Sequence, residues 1–182
     1  MVNVYDLPTS VEIDGKEYPI RTDFRAALDI IFALNDPDLN DNERAGVLLR
    51  IFYPQDIPEN VQEAVAKCFW FLSCGDDNKD STQRPKMMDW EQDFPIIVGA
   101  VNAVAGKEVR AEKSLHWWTF IGYYQNIGDC TFATVVSIRK KLKKGQKLDN
   151  SEREFYRNNR EMVDFKTRYS SDEEALLKAL GV

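Results

Sequence analysis

Hydrophobic and polar positions change their period once along this chain. Near the start they alternate: Val11 and Ile13 flank Glu12, Asp14-Gly15 follows, and Tyr18 and Ile20 resume. Alternation predicts strands, and Asp-Gly suits a two-residue type I′ turn, whose central positions both need positive φ. Residues 10–21 therefore read as a β-hairpin, with Pro19 placing its strand at an edge. A hairpin this small needs helices to pack against.

From Asp23 onward the apolar spacing is three and four, the helical one. Asp23 can cap a helix carrying Phe24, Ala27, Leu28, Ile31 and Leu34, and Asn35-Asp36-Pro37 ends it. A second runs from Asp41 to Tyr53, with Ala45, Leu48, Leu49 and Phe52 inward and Pro54 as the stop. A third starts near Pro58, with Val61, Ala64, Val65, Cys68, Phe69 and Leu72 as its expected buried stripe. Residues 75–88 are polar nearly throughout and read as a flexible loop.

A fourth helix reaches Ala105 and closes at Gly106. Two starts are open: Asp93 caps it with Pro95 in the first turn, or Asp89 caps it with Pro95 inside. Ser114 is the expected cap for a helix over 115–124 and Asp129 for the next, with Phe132, Val135, Val136 and Leu142 inward. Ser151-x-x-Glu154 and Ser171-x-x-Glu174 have the capping-box pattern, the first before a long polar helix, the second before a short C-terminal helix or tail over 169–182. The fold class is mainly α: residues 1–182 form a single multi-helix domain with a small N-terminal β-hairpin.

The 182 residues, 43% hydrophobic and 12% aromatic, can fill a core, which excludes wholesale disorder. No apolar run approaches the ~18 residues of a membrane span, and the start lacks a signal peptide, so the expected address is the cytoplasm, with no membrane partner. Residues 1–100 hold 9 basic against 19 acidic side chains, a charge of −10, and residues 101–182 hold 15 against 11, a charge of +4. Such asymmetry suits head-to-tail association in a homo-oligomer, or simply two differently solvated faces.

Little in the sequence suggests catalysis. His116 is the single histidine, and its neighbours Leu115 and Trp117-Trp118 give it no nucleophile, so it reads as a packing or hydrogen-bonding residue. Cys68, Cys74 and Cys130 lack metal-ligand spacing and read as buried thiols. The run from Asp76 resembles the opening of a calcium loop but has Ser81 at position six and Met87 at position twelve, where glycine and glutamate are needed. No phosphate-cradling glycine pattern occurs. The expectation is a protein without cofactor or metal, and not an enzyme.

Two features remain. Arg139-Lys140-Lys141-Leu142-Lys143-Lys144 is a basic helix end, able to meet phosphates or an acidic protein face; an overall pI near 4.9 disfavours nucleic acid. Trp117, Trp118, Phe120, Tyr123 and Tyr124 crowd slightly more than two helical turns. They read as a helix buried on most sides or as aromatic anchors for a partner.

Leu115-His-Trp-Trp-Thr-Phe120, then Ile138-Arg-Lys-Lys-Leu142 and the polar helix from Glu152 to Phe165, resembles a tail-gene family of siphophages and prophages of Gram-positive bacteria. The hairpin Val11–Ile20 with Arg21-Thr-Asp-Phe-Arg25 fits it, as does Met88-Asp-Trp-Glu-Gln-Asp93. The resemblance spans about residues 10 to 168, and Val104–Glu108 departs from the tyrosine-glycine segment that the family often carries. It implies a small, helical, non-enzymatic tail assembly chaperone of the bacterial host's cytoplasm, encoded between the tail-tube and tape-measure genes. The implied partners are the tape-measure protein, kept soluble until the tube polymerises, and the tail-tube protein. Trp117, Trp118, Tyr123, Tyr124 and the cations Arg139, Lys140, Lys141, Lys143 and Lys144 are then the candidate client contacts. A structural tail or connector subunit is the alternative, and a nucleic-acid-binding phage protein a further one.

Overall fold

The hairpin forms where alternation places it. The computed structural model describes residues 5–76 and 86–180, and in it β1 (Ser10–Ile13) pairs antiparallel with β2 (Lys16–Pro19) in the register Val11 to Tyr18 and Ile13 to Lys16. Asp14 and Gly15 take φ values of 50° and 75°, the left-handed pair a type I′ turn requires. Val11 and Ile13 are buried and Glu12 is exposed.

Nine helices follow among the described residues: α1 (Phe24–Leu34), α2 (Asp41–Phe52), α3 (Val61–Leu72), α4 (Trp90–Ala105), α5 (Trp117–Gln125), α6 (Thr131–Lys143), α7 (Asn150–Asn158), α8 (Arg160–Val163) and α9 (Ser171–Leu180), with a 3₁₀ turn at Val109–Ala111. The fold is mainly α-helical with a small N-terminal β-hairpin. No helix is long and apolar enough to cross a membrane among the described residues.

The chain divides into two compact units. Among the described residues the first holds 5–76, 114–121 and 168–180, and the second holds 86–113 and 122–167, so that α5 is shared between them. In the first unit the hairpin, α1, α2, α3 and the start of α5 enclose an aromatic core. Phe24 stacks on Phe120 with ring centroids 4.7 Å apart, Trp117 stacks on Phe120, and Phe52 meets Phe71. In the second unit Val135, Ile138 and Val163 form a core against which Ile96, Leu148, Phe155, Tyr156 and Met162 pack.

Helix starts follow local polar chemistry, though not always at the expected residue. Asp23 caps α1 by accepting the Arg25 N–H. Asn40 and Glu43 form a full capping box at α2, satisfying N–H groups that the first turn leaves without partners. Asp89 caps α4 by accepting from Glu91 and Gln92, which decides between the two starts: Pro95 lies inside the helix, and Gly106 ends it at φ 67°. Cys130 rather than Asp129 occupies the cap of α6, its Sγ accepting from the Ala133 N–H. The box expected at Ser151 and Glu154 lies two residues earlier, at Asp149 and Glu152. The one expected at Ser171 and Glu174 lies one residue earlier, where the Ser170 N–H reaches Glu173 and the Ser170 hydroxyl accepts the Glu173 N–H. Several neighbouring side chains can supply an acceptor at each start, so the choice falls to the chain path that tertiary packing sets.

Three further expectations change. The long polar helix from Glu152 breaks at Asn159, whose φ of −129° and ψ of 35° lie outside the helical range. On α6 the buried positions are Phe132, Val135, Ile138 and Arg139, while Leu142 is 40% exposed. On α3 the buried line is Ala64, Cys68 and Phe71, and Val61 and Phe69 face outward. The loop expected over 75–88, with its calcium-like pattern, lies mostly outside the described residues, at 77–85.

Candidate functional site

The first unit centres its chemistry on the start of α5. His116 Nδ1 accepts the Trp118 N–H at 3.1 Å, so the imidazole, and not Ser114, caps the helix. That bond leaves the proton on Nε2, which donates to the Pro8 carbonyl at 3.0 Å. Burial pushes the His116 pKa down, because imidazolium loses more hydration than imidazole. The Leu115 N–H donates to Asp23 Oδ2, the Leu115 carbonyl receives the Phe24 N–H, and the Trp117 N–H donates to the Thr22 carbonyl at 2.7 Å. The Asp23 carboxylate and two backbone bonds thus join the beginnings of α1 and α5.

The two tryptophans that follow close a third helix end. A helix leaves its last carbonyls without internal partners. The Trp117 indole donates to the Leu72 carbonyl at 3.0 Å and the Trp118 indole to the Phe71 carbonyl at 2.8 Å, both at the C-terminus of α3. Beyond α3 the chain turns through Cys74 and Gly75, at φ 58° and 80°. A Cβ on Gly75 would come within 3.1 Å of Trp118 Cη2, so this glycine provides both the backbone conformation and the space for the ring. Trp70 meets Trp118 edge-on at 5.5 Å.

Three of the aromatic candidates, Trp117, Trp118 and Tyr124, have packing or capping partners within their own unit. Trp117 is 2% exposed and Trp118 is half-buried, with both indole N–H groups directed at α3. Tyr123 and Tyr124 are half-buried as well, and Tyr124 packs against Trp90 at 4.9 Å and Phe132 at 5.8 Å. Burial raises the Tyr124 phenol pKa, with the Asp93 carboxylate adding to it.

The basic candidates separate in the second unit. Arg139 points inward with its side chain 4% exposed, and it holds Asp93 through two bonds, Nη1 to Oδ2 at 2.6 Å and Nη2 to Oδ1 at 2.9 Å. It also donates to the carbonyls of Val163, Met162 and Met87, and Phe165 lies 4.1 Å from its guanidinium carbon. Arg139 is thus an internal tie rather than part of a surface patch, because a buried guanidinium needs this many acceptors. Lys141 bonds Glu152 at 2.5 Å, while Lys140, Lys143 and Lys144 are exposed.

Burial pushes the Cys68 thiol up to about 12 and the Cys74 thiol to about 11, away from the reactive thiolate. Among the described residues no cluster of three or more histidine, cysteine or carboxylate side chains is arranged to hold a metal ion.

The surface that sequence reasoning missed is on α3. Its sequence, VQEAVAKCFWFL, has nine apolar residues in twelve, more than one buried face can absorb. Ala64, Cys68 and Phe71 take the core. Val61, Val65, Phe69 and Leu72 form a second stripe, about 80° wide at 100° per residue. Val61 is 50% exposed and Phe69 48%, with Val65 and Leu72 half-buried. The excess of apolar residues was the available signal; which face goes inward was not.

Residues 4–165 match the model of a protein family described as Bacteriophage Gp15 protein. No curated protein and no solved structure matches the chain.

Proposed function

The chain belongs to the bacteriophage Gp15 family and is, broadly, a phage tail morphogenesis protein; from that premise we propose that it is a tail assembly chaperone for the tape-measure protein. Tape-measure proteins are long and helical, and their apolar faces aggregate in water unless covered. A chaperone for such a client needs an apolar helical surface that its own core leaves open. The second stripe of α3 is that surface, and it carries this reading: Val61, Val65 and Phe69, four residues apart, present anchors with the spacing that helix-on-helix recognition uses. Release follows when tail-tube subunits compete for the same client, provided each contact is weak and repeated along its length.

Co-expression with the neighbouring tape-measure gene tests this. The expected result is a soluble tape-measure protein that co-elutes with the chain. A tape-measure protein that precipitates equally with and without it refutes the reading. Abundant recovery of the chain in purified virions favours a structural tail or connector subunit instead.

A further inference from the structure

The second unit carries an open cleft of about 600 Å³ that the proposed client surface does not use. Its apolar part comes from Pro95 and Ile96 on α4 and Met162 on α8, and its cations are Arg157, Arg160 and Lys166. Arg160 is tied to Asp164 at 3.1 Å, while the exposed side chains of Arg157 and Lys166 have no ion pair among the described residues. Asn158, Asn159 and Gln92 add amides, and Glu161 one carboxylate. A volume of this size suits a small set of side chains rather than a whole element.

In the first unit α9 has the complementary character. Its first turn holds Asp172, Glu173 and Glu174, and its outer face exposes Leu176 and Leu180, 60% and 68% accessible. No residue of α9 is buried. What holds the helix is its start: the Ser171 N–H and hydroxyl donate to the Asp38 carboxylate at 2.6 and 2.7 Å. The leucines are four residues apart, about 6 Å along the axis, so one side of the helix presents both together, just after the three carboxylates.

We propose that α9 of one copy docks into this cleft of a second copy. Its leucines cover Ile96, Pro95 and Met162, and Asp172 and Glu173, on the leucine side of its first turn, face Arg157 and Lys166. The contact is heterologous, with different surfaces on the two copies, so repetition builds an open head-to-tail array rather than a closed dimer. The inference does not depend on the tape-measure reading, since it concerns only this chain.

Sedimentation equilibrium of the full chain across a concentration series tests it. The wild type is expected to self-associate reversibly. Leu176→Asp, the pair Asp172→Lys with Glu173→Lys, and the pair Arg157→Glu with Lys166→Glu each weaken association by about tenfold or more. All these side chains are exposed, and unchanged circular dichroism confirms folding. The two charge-reversed proteins, each impaired alone, associate when mixed, because each cleft then finds a helix of opposite sign. A wild type that is monomeric throughout overturns the proposal. So does association that none of the substitutions reduces, or the absence of rescue on mixing.

Discussion

Arg139 and Asp93 are bound side to side in the second unit, 2.6 and 2.9 Å apart at their two contacts, with side chains only 4% and 1% exposed. Asp93 also accepts the Asp89 N–H at 2.9 Å, so the pair ties α6 to the first turns of α4. Neither charge has water to fall back on. Arg139→Ala or Asp93→Ala therefore leaves an uncompensated buried charge and is expected to cost about 3–5 kcal/mol. The double substitution Asp93→Leu with Arg139→Met should cost less than either single truncation. Urea denaturation of the three variants measures both, and equal losses for all three would show that the lone charge is not what destabilises the truncations.

His116 gives stability a pH dependence with a definite sign. The folded protein holds the imidazole neutral and lowers its pKa below the ordinary 6.5. On acidification the unfolded chain takes up this proton first, so stability present above about 6.5 is lost as pH falls through and below that value. Protonation also removes the acceptor that caps α5. The urea midpoint should drop between pH 7 and pH 5.5, and His116→Asn, which retains a capping acceptor without titrating there, should flatten that part of the curve.

Gly75 combines positive φ with a close approach to Trp118. Gly75→Ala meets both obstacles and is expected to destabilise the first unit by about 1–2 kcal/mol for the backbone alone. The tryptophan emission maximum should move to the red with it, since Trp118 can no longer sit against the turn. A thermal melt followed by fluorescence reads both effects.

Asp38 anchors α9 through Ser171, and these two hydrogen bonds hold its carboxyl below the usual range. Asp38→Ala should raise hydrogen exchange over residues 171–180 while leaving α1 and α2 protected. Acidification through the carboxylate range should loosen the same helix in the wild type.

Phe69→Asp tests the outward stripe of α3. Phe69 is 48% exposed and outside the core line, so the thermal midpoint should shift little. Recovery of soluble tape-measure protein on co-expression should fall several-fold. Phe71→Ala, at a fully packed position, should instead destabilise by about 3–5 kcal/mol.

What the sequence determined was mostly what neighbouring residues settle among themselves. Asp14-Gly15 specifies a hairpin turn because the turn needs two left-handed residues there and nothing distant. Asp23 caps α1 because its carboxylate lies two residues from the N–H it accepts. The existence of the helices, the mainly α class and the acidic and basic halves are legible for the same reason, and the motifs of Leu115–Phe120 and Met88–Asp93 were enough to suggest a phage tail-gene family. Tertiary structure decided whatever depends on partners far along the chain. Arg139 reads as one cation in a basic run, and distant acceptors, Asp93 forty-six residues away and the Val163 and Met162 carbonyls, turn it inward. Trp117 and Trp118 read equally well as anchors or core, and the carbonyls at the end of α3, forty-five and forty-seven residues earlier, make them caps. On α3 itself periodicity finds more apolar positions than one face can bury. Burial is a contest among faces for limited contact area, and its outcome is fixed by the neighbouring elements rather than by the helix.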